Sequence, residues 1–276
     1  MADYKLIALD IDGTLLNSEL KLTEANKNAV GQVFASGRQA VLCTGRCLSE
    51  LRDLLGQLPQ IRYLICENGS CVYDLKYDQT IHVAPVPDEE IRFVLGLMKK
   101  ERVAIQAFCE NQSYINKPND EWMIACRVGN YREVFNRSSI WDVRLFDRYY
   151  ERPFRIEKIN LYLENERDRQ RILKVLEDRP AVKTVPSFGY MIEVVSERAD
   201  KGVGLEKLCA YLNVPVEETI AMGDSANDVE VLRTAALSVA VGNACAEAKE
   251  AADIVTVDCD HDAVAKIIGE YMLKKA

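Results

Sequence analysis

Short apolar runs alternate with helix-patterned stretches at both ends of this 276-residue chain, and that alternation constrains its fold more than any other feature. "KLIALDI" (5–11) predicts a strand, 23–36 a helix ended by Gly37, "AVLCT" (40–44) a strand, "LSELRDLL" (48–55) a helix and "YLICE" (63–67) a third strand. The pattern resumes with a helix over 203–212, strand "TIAMGD" (219–224), a helix over 226–235 and strand "LSVAV" (237–241). A helix, strand "IVTV" (254–257) and a final helix from Asp262 complete it. Strands that read as continuous apolar runs are buried on both faces, so the ends of the chain predict one α/β core around a parallel sheet.

The middle obeys a different period. "VAIQAF", "RIEKINLYLE" and "MIEVV" alternate as half-exposed strands do, with helical patterns between them, which predicts an inserted α+β domain. It holds 14 of the 21 aromatics, Trp122 and Trp141 among them. Its 19 Lys and Arg nearly balance 18 Asp and Glu, leaving a net −9 on the rest. Pro85 and Pro87 favour an extended connection on one side, and Ser196 marks the other. The expected division is a core of 1–84 and 196–276 with an insert of 85–195.

Charge and cysteine usage narrow the function. A net charge of −8 argues against broad binding to nucleic acid or anionic lipid and favours a small-molecule partner. Without an apolar run of membrane-spanning length or a secretory leader pattern, a cytoplasmic location is expected, as a monomer or weak homodimer. The nine cysteines include no CxxC pair, which predicts reduced, mostly buried thiols rather than a zinc site or disulfide framework. His82 and His261 lie far apart in sequence and are expected to be surface or packing residues.

The chemistry-bearing residues gather at strand ends. In an open parallel sheet ligands bind outside the carboxyl ends of the strands, and "DIDGT" places Asp10 and Asp12 there. In extended backbone, residues i and i+2 share a side, so both carboxylates face one space. Gly13 permits close approach of a ligand and Thr14 offers a hydroxyl. "AVLCTGR" ends in Thr44, Gly45 and Arg46, and "TIAMGDSAND" in Asp224, Asn227 and Asp228. Each alone reads equally as a turn or helix cap. Together, four carboxylates at one sheet edge are unfavourable without a cation, and an all-oxygen set selects a hard one such as Mg²⁺. Lys201 sits at the apparent start of a helix, where the macrodipole disfavours a cation, a local conflict of the kind found at functional sites.

DIDGT (10–14), the Thr of LCTGR (44), the Lys of DKG (201) and GDSAND (223–228) resemble, in order, the four motifs of the haloacid dehalogenase superfamily of phosphohydrolases. The ENG at 67–69, the place of the insert and the length resemble its Cof-type subfamily. The resemblance implies a Rossmann-like core with an inserted α+β cap of the C2 type, and Mg²⁺-dependent hydrolysis of small phosphate monoesters such as sugar phosphates. It implies that Asp10 is the nucleophile, forming a phosphoaspartate, and that Asp12 is the general acid and base. Lys201 would neutralise charge, and Thr44 with backbone N–H groups around Asp12 and Gly13 would bind the phosphoryl group. Mg²⁺ would be held by Asp10, the Asp12 carbonyl and Asp224, with Asp228 in support. Asn227, Gly45, Arg46 and Asn68 are candidate substrate contacts. A phosphomutase or phosphotransferase of the same fold, or a receiver-type phosphate-binding module, are the alternatives; product analysis and turnover separate them.

Overall fold

The computed structural model describes residues 3–98, 103–116, 131–185, 187 and 189–273. Trp122 falls outside them. The chain divides into two compact units, one of 1–45, 52–83 and 200–276, the other of 46–51 and 84–199.

The first unit is built on an eight-stranded sheet. In chain order its strands are β1 (Leu6–Leu9), β2 (Gln39–Cys43), β3 (Tyr63–Cys66), β4 (Cys71–Asp74) and β5 (Gln79–Val83). After the insert, whose strands are β6 to β11, come β12 (Thr219–Gly223), β13 (Leu237–Ala240) and β14 (Ile254–Val255). The spatial order is β14-β13-β12-β1-β2-β3-β4-β5, and the first six are parallel. Successive strands depart from β1 in opposite directions, so β1 and its neighbours β2 and β12 define the switch point where such sheets bind ligands. Leu6, Ile7 and Leu9 are fully buried, each contributing about 1.5–3 kcal/mol, which anchors the strand that delivers Asp10.

β4 and β5 extend the sheet antiparallel, a feature the apolar pattern does not announce. β4 ends in Asp74, and a carboxylate argues against a buried strand position unless a partner neutralises it. Arg62 is that partner, binding both carboxylate oxygens at 2.9 and 2.7 Å, and it holds Asp74 below the usual carboxylate range.

Two predicted helices each open with a separate 3-10 turn that carries a capping carboxylate. At 48–55 the turn Leu48–Glu50, where the Glu50 carboxylate accepts from the Cys47 N–H, precedes a helix at Arg52–Gln57. The turn belongs to the second unit and the helix to the first. At 226–235 the Asp228 carboxylate likewise accepts from the Ser225 N–H, giving a 3-10 turn at Ala226–Asp228 before the helix Val229–Thr234.

The second unit carries β6 (Ala104–Cys109), β7 (Gln112–Ile115), β8 (Ser139–Trp141), β9 (Lys158–Tyr162), β10 (Val182–Val185) and β11 (Met191–Ser196). They lie in the order β10-β11-β9-β6-β7-β8, antiparallel except for β7 with β8. One face packs Ile105, Ala107, Ile159, Leu161, Ile192 and Val194 into the unit's core. On the other, Gln106, Asn160 and Glu193 form a row across three strands, as the period of two requires. The Gln106 amide donates to Glu50 of the 46–51 segment at 2.9 Å and to Ser113 at 2.7 Å, and its oxygen accepts from Asn160 and Tyr162. Among the described residues no helix is long and apolar enough to cross a membrane.

Candidate active site

The carboxyl ends of β1 and β12 bring the acidic residues together. Asp10 is held in the sheet by its N–H, which donates to the Met222 carbonyl at 3.0 Å. The chain then turns at once, with the Leu15 N–H on the Asp10 carbonyl at 3.2 Å and the Leu16 N–H on the Ile11 carbonyl at 2.9 Å. Gly13 makes this possible at φ +83°, and a Cβ there would lie 2.5 Å from Asp224 Oδ2. Only glycine serves both demands. Asp12 is half-buried beside this turn, and Thr14 is buried.

Lys201 opens the helix Lys201–Leu212, whose N-cap Asp200 accepts from the Val203 N–H at 2.7 Å. Its ammonium is fully buried and donates to Asp10 Oδ1 at 2.7 Å and to Asp228 Oδ1 at 2.6 Å. The two anions explain why a cation is tolerated at the unfavourable end of a helix dipole. Burial pulls the Lys201 ammonium down, but the charges of Asp10 and Asp228 outweigh it and hold it well above its ordinary value. The other oxygen of Asp228 accepts from the N–H groups of Asp224 and Ser225, both at 3.0 Å. Asp228 therefore positions Lys201 and the 224–225 turn at the same time.

One ammonium does not balance this cluster. Carboxylate oxygens of Asp10, Asp224 and Asp228 lie within 4.8 Å of one another. Burial, then the charge of Asp228, pushes Asp10 well above the usual carboxylate range. The same two causes raise Asp224 to about 7. Asp224 Oδ1 is buried and without a hydrogen-bond partner. Clustered oxygens, excess negative charge and an orphaned carboxylate oxygen fit a hard divalent cation, whose charge would reverse these shifts.

The remaining predicted residues fall into two groups. Thr44 is buried at the end of β2, its N–H on the Ile65 carbonyl at 2.8 Å and its carbonyl accepting from the Asn68 N–H at 3.0 Å. Gly45 lies against the Asn68 side-chain oxygen, and that oxygen accepts from Asn227 Nδ2 at 3.0 Å. Ser225 Oγ donates to the Asn227 oxygen at 2.6 Å, so the two asparagines are fixed by side-chain bonds within the first unit. Arg46 groups instead with the second unit, where its charge acts on Glu50. Sequence reasoning passed over Asn243, whose amide donates to the Gly13 carbonyl at 2.8 Å. The signal was present: Asn243 follows an apolar strand by three residues, as Asp12 does.

A family model for haloacid dehalogenase-like hydrolases matches residues 7–268. The chain is 27% identical over 282 residues to Phosphatase YwpJ of Bacillus subtilis, covering 96% of this chain and 98% of that protein. It is 28% identical over 276 residues to the 5-amino-6-(5-phospho-D-ribitylamino)uracil phosphatase YcsE of the same species, covering 98% and 97%. A solved haloacid dehalogenase-like hydrolase from B. subtilis superposes with a TM-score of 0.86 at 26% identity, over 97% of this chain and all of that one.

Proposed function

The chain belongs to the haloacid dehalogenase-like hydrolases and is a phosphoric monoester hydrolase, and within that class we propose a Mg²⁺-dependent phosphatase acting through a phosphoaspartate. The observation that carries this reading is the buried contact of Lys201 with Asp10 at 2.7 Å beside two further carboxylates. A phosphate ester repels an anionic nucleophile, so attack requires positive charge on both partners.

Asp10 attacks phosphorus as the ester oxygen leaves, and Lys201 neutralises the carboxylate and the phosphoryl oxygens. Asp12 gives the departing oxygen its proton, then takes one from the water that cleaves the acyl phosphate, so it ends each cycle as it began. Thr44 and the N–H groups around Asp12 and Gly13 receive the phosphoryl oxygens, with Asn227 held nearby by Asn68 and Ser225. Asp10, the Asp12 carbonyl and Asp224 would hold Mg²⁺, with Asp228 in support; when bound it supplies positive charge to the nucleophile and the phosphoryl group. The substrates are small phosphorylated metabolites, sugar phosphates included, and Gly45, Arg46 and Asn68 are candidate contacts. The scattered cysteine pattern, without a CxxC pair, supports a cytoplasmic setting.

Rapid quench of the enzyme with ³²P-labelled substrate, followed by peptide mapping, tests the reading. Label on Asp10, inorganic phosphate as the product and loss of turnover in chelator are expected. Label on another residue, or phosphate delivered to an alcohol rather than to water, would overturn it.

A further inference from the structure

We infer that Asn243 is a positioning residue for Asp12, acting through the Gly13 carbonyl that its side chain holds. The inference rests on the acid and base role proposed for Asp12.

Gly13 poses a mechanical problem. The position calls for glycine, because its φ is +83° and a Cβ would also crowd Asp224 Oδ2 at 2.5 Å, yet glycine is the residue that least restrains its own backbone. The peptide that follows Asp12 therefore needs an outside restraint if the Asp12 carboxylate is to stay aimed. Asn243 provides one. Its Nδ2 donates to the Gly13 carbonyl at 2.8 Å, while its Oδ1 accepts from the Cys259 N–H at 2.9 Å. A donor and an acceptor on one short planar group satisfy both partners in a single orientation of the amide.

The backbone carrying Asn243 is itself fixed. Gly242 N–H donates to the Val257 carbonyl at 2.9 Å, Ala244 N–H to Val241 at 2.9 Å, and Cys245 N–H to the Asp224 carbonyl at 2.7 Å. The loop on the far side of the amide grips the nucleophile segment a second time, where Asp260 Oδ1 accepts from the Ser18 N–H at 2.9 Å. The stretch from Asp10 to Ser18 is thus clamped at Gly13 and at Ser18, and the Gly13 clamp is one residue from Asp12. Asn243 is exposed and touches no reacting atom in this arrangement. Its effect must reach the chemistry through the turn, where small misplacement of a proton donor slows transfer.

A double-mutant cycle of Asn243→Ala with Asp12→Asn, read on a sugar phosphate and on p-nitrophenyl phosphate, tests this. In the wild-type background Asn243→Ala should lower kcat on the sugar phosphate about five- to tenfold, the worth of one hydrogen bond, with little change in KM. The aryl phosphate, whose leaving group needs no proton, should show a smaller loss at the phosphorylation step. In the Asp12→Asn background the same substitution should change kcat less than about twofold, because the residue it positions is gone. Equal losses in both backgrounds, with Asp12→Asn retaining its own leaving-group effect, would overturn the inference alone. If Asp12→Asn leaves the leaving-group dependence as in wild type, the role of Asp12 fails and the inference with it. Should Asn243→Ala lower the melting temperature, Asn243→Ser, which keeps a donor, is read in the same cycle, and losses independent of Asp12 overturn the inference there too.

Discussion

Lys201 Nζ lies 2.7 Å from Asp10 Oδ1, with both groups withdrawn from water at the joint between a helix start and the end of the central strand. Removing the ammonium leaves Asp10 and Asp228 buried and unneutralised, a change that costs about 3–5 kcal/mol for a broken buried pair. Lys201→Met should therefore lower stability by that order in chelator at pH 8, and lower kcat by about 10²- to 10³-fold with Mg²⁺ present. Lys201→Met with Asp228→Asn removes one charge of each sign and should recover part of the stability but none of the turnover. Denaturant unfolding beside steady-state kinetics separates the two, and recovery of activity in the double variant would count against a catalytic role for Lys201.

Metal binding should release a proton below neutral pH. Burial and the charge of Asp228 raise Asp224 to about 7, so in the metal-free protein this carboxyl is protonated at pH 6 and ionised at pH 8.5. The unfolded chain has lost the same proton near pH 4, so stability contributed by the protonated form is present at low pH and declines as pH rises toward 7. A cation takes only the ionised form. Mg²⁺ affinity should fall as pH drops below 7, with more protons released per ion at pH 6 than at pH 8.5. Calorimetry in buffers of different ionisation enthalpy measures this directly, and Mg²⁺ binding without proton release at pH 6 would contradict it.

The ENG turn and the start of the Lys201 helix are mechanically joined. Gly69 sits at φ +85°, and a Cβ there would fall 1.8 Å from the Asp200 carbonyl oxygen. Gly69→Ala must strain the turn or displace the N-cap that precedes Lys201, at a cost of about 2–4 kcal/mol and with a fall in kcat. Gly31, within the helix Glu24–Ala35 and with no atom near its absent Cβ, is the control: Gly31→Ala should be neutral or stabilise by up to about 1 kcal/mol. Thermal melts with activity assays decide, and a Gly69→Ala protein with wild-type melting and turnover would refute the coupling.

These residues also mark where sequence reasoning succeeds and where it stops. The parallel part of the sheet was legible because burial on both faces writes an uninterrupted apolar run, as in Leu6–Leu9 and Thr219–Gly223. Lys201 was legible because a helix start disfavours a cation, and Asp10, Asp224 and Asp228 because their clusters fall at one edge of the sheet, although each alone reads as a turn or cap. What escaped depends on partners distant in the chain. β4 was hidden because Asp74 is neutralised by Arg62 twelve residues earlier. The union of Arg46–Leu51 with the insert depends on Glu50 meeting Gln106, 56 residues away. Asn243 looks like an ordinary loop residue until its amide is seen to reach Gly13, 230 positions distant.

The two aspartates of "DID" should fail in different ways. Asp10→Asn removes the nucleophile, so no phosphoenzyme should form with any substrate. Asp12→Asn removes only the proton shuttle, and its effect should depend on the leaving group. A sugar alkoxide needs a proton to depart, so the first step should be slow and little phosphoenzyme should accumulate. An aryl oxide needs none. Attack by Asp10 should then proceed while the hydrolytic water lacks its base, so phosphoaspartate builds up and one rapid turnover precedes a slow steady state. Rapid-quench kinetics would show a burst matching the enzyme concentration on the aryl phosphate and none on the sugar phosphate, with the label mapping to Asp10. If Asp12→Asn keeps wild-type steady-state turnover on both substrates, proton transfer does not belong to Asp12, and the spacing of the two carboxylates needs another explanation.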